Sequence, residues 1–159
     1  MTSPDRQLLR HALATLAYRA EKAFRGAPES FGEFRHGPTS RTPGQIVAHM
    51  CDLMDWALRL ARGTHAWRDT QPTVWADDCA RFFAAAETFD AFLASDEPLG
   101  WSVEQLFQGP VADALTHTGQ LTMLRRLAGA PVRGENYAKA EIMAGRVGPE
   151  QSMKRVEFD

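Results

Sequence analysis

Apolar residues recur at three- and four-residue intervals through four blocks of this chain, and each block is closed by proline or glycine. That spacing places them on one face of an α-helix. The first block carries Leu9, Leu13, Leu16, Ala20 and Phe24. Ser3 and Pro4 stand where an N-cap and a first helical residue belong, and Gly26-Ala27-Pro28 ends it. The second starts at Thr42-Pro43, runs through Ile46, Met50, Leu53, Trp56, Ala57 and Leu60, and stops at Gly63. The third extends from about Thr73 or Val74 to Ser95, with Phe82, Phe83, Ala86, Phe89, Phe92 and Leu93 on its buried side. A short turn near Val103–Phe107 leads to the fourth, Pro110 to Ala128, with Gly129 as its C-cap glycine. The residue supply agrees: 24 Ala and 14 Leu against two Ile and seven Val. Strands are built from β-branched residues, so an all-β fold or a doubly wound sheet is excluded.

At 159 residues the chain makes one ordinary domain. Helices of about 20 residues span about 30 Å, and their apolar faces need one another. The expectation is therefore all-α, a single four-helix bundle over residues 1–159 with an extended tail over 131–159. The tail shows weak periodicity, enough for one or two turns over Ala138–Ala144. Gly134-Glu-Asn-Tyr137 and Glu141 either fold over the mouth of the bundle and line a pocket or belong to a dimer-packing or surface segment. The stretch from Glu29 to Arg41 is long for a loop and is either functional or packed down by its aromatics.

The charge balance, 18 Lys+Arg against 20 Asp+Glu, offers no electrostatic footprint for nucleic acid. Arg125-Arg126 reads as a solvated helix end that suits the helix dipole. No window reaches the roughly 18 apolar residues of a membrane span. The N-terminal residues from Met1 lack a signal-peptide core. Cys51 and Cys79 are too far apart for a metal knuckle and read as free thiols. A cytoplasmic protein is expected, with no membrane and no nucleic-acid partner.

In a bundle, chemistry comes from polar side chains on the apolar faces. His49 lies between Ile46 and Leu53 on the second helix, with Asp52 near the edge of the same face. On the fourth helix Asp113 and His117 are four residues apart, hence neighbours, and Gln120 continues the patch. A carboxylate and an imidazole so spaced can chelate one cation from a single helix, and a third ligand from a facing helix leaves a position open. His49, Asp113 and His117 form such a set, suited to Zn, Fe, Mn or Ni. The same groups are equally readable as hydrogen-bonded core residues. His11, His36 and His65 read as structural or surface. No G-x-S-x-G elbow is present, and Cys51 points away from His49.

Thr42-Pro-Gly-Gln-Ile-Val-Ala-His49, with Asp52 and Asp55-Trp-Ala-Leu, resembles the second helix of DinB-like (YfiT-like) bundles. Gly109-Pro-Val-Ala-Asp113-Ala-Leu-Thr-His117-Thr-Gly-Gln120 resembles their fourth helix, where the family carries H-x-x-x-H-R-G-Q. The likeness spans essentially the whole chain. It implies an up-down-down-up helix order, a homodimer, and a divalent-metal site at His49, Asp113 and His117. Two departures stand out: Asp113 occupies the place of the family's first His, and Thr118 that of its Arg. Aspartate is a harder ligand and adds a negative charge, which favours harder cations.

By the same resemblance the chain is expected to be a metal-dependent transferase using a low-molecular-weight thiol, or a related hydrolase, acting on a small molecule. Asp52 could accept from a ligand's ring N–H, and Gln120 could orient a ligand or bound water. The other reading is a non-enzymatic, stress-linked dimeric binding scaffold with no bound metal.

Overall fold

The computed structural model describes residues 3–159; Met1 and Thr2, where the N-terminal reading began, lie outside them. The chain is an all-α bundle with only a two-stranded ribbon besides. No helix among the described residues is long and apolar enough to cross a membrane.

Helix α1 spans Pro4–Phe24, with the Ser3 side chain accepting from the Arg6 N–H as N-cap. Helix α2 spans Pro43–Ala61 and opens on a capping box: Thr42 accepts from the Gln45 N–H, and Gln45 reaches back to the Thr42 N–H. Helix α3 spans Trp75–Ala94. Its N-terminal side is closed by buried Asp78, whose carboxylate accepts from the N–H and the hydroxyl of Thr73. Of the two readings of the long loop before α2, functional or packed down by its aromatics, the structure shows the packing. Its 3-10 turn, Glu29–Glu33, buries Phe31 edge-on against Trp75 at 5.2 Å.

The fourth helix differs from the expectation. Helicity does not begin at Pro110. It begins at a second capping box, Ser102 with Gln105, as α4 (Val103–Leu106). It passes through a π turn over Phe107–Val111 and continues as α5 (Ala112–Leu127). Proline in a regular helix loses a hydrogen bond and drives its ring into the carbonyl four residues back. Around Pro110 the backbone widens into the π turn: the Ala112 N–H reaches the Phe107 carbonyl, five residues back, as well as that of Gly109. Gly109-Pro110 is thus a bulge within a helix and not its start.

Helices α1 and α2 each pack against both α3 and α5, with the α2–α3 contact the most extensive. Met50, Leu53, Met54, Leu13, Leu16, Phe82, Phe89 and Leu93 are fully buried between them. Arg125 also departs from the expectation of a solvated end. It is 5% exposed, and its guanidinium donates to the carbonyls of Ala23, Arg25 and Ala130. It thereby closes the C-terminal end of α1, whose last carbonyls have no partner within the helix.

The tail forms one 3-10 turn, Tyr137–Lys139, where one or two helical turns over 138–144 were expected. It also forms a ribbon in which β1 (Gly134–Glu135) pairs antiparallel with β2 (Glu157–Phe158). It lies along α1, with Val147 buried in the core. Glu135, its side chain fully buried, accepts from the Tyr18 hydroxyl at 2.5 Å and from Lys22 at 2.9 Å. Lys22 also pairs with Glu157 at 3.0 Å. Lys154 pairs with Glu21 at 2.9 Å and sits 3.6 Å from the centre of the Tyr18 ring.

Candidate metal centre

Helix α2 supplies His49, and α5 supplies Asp113 and His117 one turn apart. The π turn ends at Val111, two residues before Asp113, so this bulge sets the rotation at which α5 presents its polar face. The structure brings the three together: one ligand atom from each lies within 4.8 Å of the others. His49 Nε2 stands 3.4 Å from Asp113 Oδ2, and His117 Nε2 stands 3.4 Å from Asp113 Oδ1. The imidazoles meet edge to face at 4.7 Å.

The donors lie close enough to converge on one cation, with each imidazole facing a different oxygen of Asp113. The tautomer of His117 points the same way. Its Nδ1 lies 2.8 Å from Gln120 Oε1. With that oxygen accepting, Nδ1 carries the proton and Nε2 presents a lone pair toward a carboxylate that is itself acceptor-only. Two acceptors facing each other repel, and a cation or a second proton between them removes the repulsion. Burial holds the His49 imidazole below its ordinary range, assisted by repulsion from His117 and Arg41 and opposed by the Asp113 carboxylate. A neutral imidazole is the form that ligates.

The centre is half open. The Asp113 side chain is 46% exposed, against 20% for His49 and 11% for His117. It borders a cleft of about 640 Å³ lined also by Ser40, Arg41, Ile46, Gln120, Met123 and Leu124. Trp67 flanks the His49 ring at 5.4 Å.

Of the two expected partners of the centre, Gln120 is on the His117 ring. Asp52 is turned elsewhere: both its oxygens accept from Thr70, from the N–H at 2.7 Å and the hydroxyl at 2.6 Å. Asp52 thus holds the loop that follows α2. Thr118 bonds back to the Ala114 carbonyl of its own helix. Cys51 and Cys79 are free thiols; burial pushes the Cys51 thiol up to about 12 and the Cys79 thiol also upward, so neither is an available nucleophile. Sequence reasoning missed Arg41 and Trp67. Arg41 immediately precedes the Thr42 N-cap, two turns before His49, a placement that could have marked it.

Comparison of the chain with protein-family models, with curated proteins and with solved structures finds no match.

Proposed function

We propose that the chain is a metal-dependent enzyme of the DinB-like kind, an up-down-down-up bundle that holds a divalent ion on His49, Asp113 and His117 and acts with a small thiol. The observation that carries this reading is the convergence of three donors from two helices at the edge of a cleft large enough for a small molecule. A divalent ion there would lower the pKa of a bound thiol so that the thiolate exists at neutral pH. The chain's own residues prepare the position. Gln120 fixes the His117 tautomer, burial keeps His49 neutral, and Asp113 supplies the one negative charge. That charge favours Mn or Fe more than three imidazoles would, beside Zn and Ni. The likeness to the family further supports a cytoplasmic homodimer.

One observation favours a second reading, a metal-free scaffold: Asp113 lies equally near both imidazoles and could hold them as a hydrogen-bonded trio. Elemental analysis of protein purified without a histidine tag separates the two. The enzyme reading expects near-stoichiometric divalent metal, or uptake on reloading, with melting raised by the ion and lowered by a chelator. Protein that stays metal-free after reloading, with melting unmoved by chelation, establishes the scaffold. Full metal retention in His49→Ala would refute the ligand set.

A further inference from the structure

We infer that the cleft beside the His49–Asp113–His117 centre takes a small organic acid with an apolar body, whose carboxylate is read by Arg41. The inference rests on the metal reading above and adds the substrate class.

The lining divides by chemistry. Ile46, Met123 and Leu124 make an apolar wall, while Arg41 is the one cationic side chain and Asp113 the one acidic side chain. With a divalent ion in place the cleft carries net positive charge, so an anion is the complementary occupant. The Arg41 side chain has no hydrogen bond or ion pair among the described residues, and unlike those of Arg68 and Arg126, which also have none, it lines this cleft; several other arginines around the bundle are tied down. Arg10 grips Asp90, Arg25 grips Glu21, and Arg125 caps α1. Arg41 lines the same cleft as His49, Asp113 and His117.

The backbone that carries Arg41 is held at a fixed place. Arg41 precedes the capping-box residue Thr42, and the turn before it is closed by Arg35 donating to the Ser40 carbonyl and by Ser40 bonding Gly37. A guanidinium offers paired donors that match a carboxylate. One guanidinium balances one such charge, whereas a phosphate's two would be left half-paired. The ligand therefore has a metal-binding end at the centre, a short apolar stem along Ile46, Met123 and Leu124, and a carboxylate at Arg41.

The test uses full-length protein loaded with Co(II), whose visible spectrum reports ligand exchange at the metal. The probes are 3-mercaptopropionate, propanethiol and cysteamine, which share a thiol and differ in the far end. The wild type is expected to bind 3-mercaptopropionate about tenfold more tightly than propanethiol, the low end for a hydrogen bond to a charged group because Arg41 is exposed. Arg41→Ala should erase that difference while leaving Co(II) loading and propanethiol binding unchanged, and Arg41→Lys should restore part of it. Cysteamine should bind no better than propanethiol. Equal affinity for all three thiols, or Arg41→Ala weakening them equally, overturns the inference and leaves the metal centre standing. Displacement of 3-mercaptopropionate by millimolar inorganic phosphate in an Arg41-dependent manner also overturns it. Failure of Co(II) to bind overturns both it and the metal reading.

Discussion

On the proposed metal reading, Asp113 would decide what kind of ion the centre prefers. Its two oxygens each face one imidazole, and it carries the only formal charge among the three donors. Replacing it by a third imidazole removes that charge and softens the set. Asp113→His is expected to raise the ratio of zinc to manganese affinity about tenfold, read by competition titration. Gln120→Leu leaves the ligands in place and takes away the acceptor that sets the His117 tautomer. Metal affinity should fall roughly 10- to 100-fold with little change in melting temperature of the metal-free protein, since Gln120 is exposed. The trio was legible in the sequence because four-residue spacing places Asp113 and His117 together and the apolar stripe orients His49 toward them. Asp52 shows where this reasoning ends. Periodicity gives the face of a helix a residue occupies, and Asp52 shares a face edge with His49, but its partner Thr70 lies in an aperiodic loop. Trp67, from the same loop, was invisible for the same reason.

At the scale of elements, the helix starts at Ser3 and Thr42 were readable because a side chain makes the cap. The turn at Val103 was read as well, but not its continuity with the fourth helix, because Gly109-Pro110 imitates a helix boundary while a π turn carries the helix through it. Two glycines near these junctions should respond in opposite ways. Gly100 donates to the Ala61 carbonyl at the end of α2, and a Cβ there would fall 2.2 Å from the Gly63 Cα. The atom it would meet belongs to backbone, so no side chain can turn aside. Gly100→Ala is expected to cost about 2–3 kcal/mol, which lowers Tm by roughly 4–12 °C. Gly109 lies in helical backbone, and a Cβ would meet the Trp56 ring at 3.7 Å, an ordinary contact. Gly109→Ala should therefore stabilise by about 0.5–1 kcal/mol through the unfolded state. Thermal melts of the two variants beside the wild type check both signs.

Over the whole molecule, polar chemistry is divided between two sides. The α2–α5 side carries the half-open centre, and the outer side of α1 carries a closed polar strap formed by the tail. The strap was not legible in advance because its anchors, Glu135, Lys154 and Glu157, sit in a segment without period and meet Tyr18, Glu21 and Lys22 more than a hundred residues away. Its acid response has a definite sign. Burial alone would raise the Glu21 carboxyl, but hydrogen bonds from Arg25 and Lys154 outweigh it and hold the group below its ordinary value of 4.5. The Lys22 ammonium likewise holds the Glu157 carboxyl below 4.5, chiefly through its hydrogen bond. A carboxylate depressed on folding contributes stability that is complete above the unfolded value and is lost as pH falls through the folded one. The tail should therefore stay docked near neutrality and loosen below the ordinary carboxylate range, ahead of the apolar core, which has no such dependence. Amide exchange followed from about pH 6 to about pH 3, corrected for intrinsic rates, should show protection vanishing first over 134–158 and later in α2 and α3. Glu21→Gln should shift that loss toward higher pH, because the neutral amide keeps the shape but gives up the ion pair with Lys154. Simultaneous loss of protection in tail and core would show instead that the strap is part of one cooperative unit with the bundle.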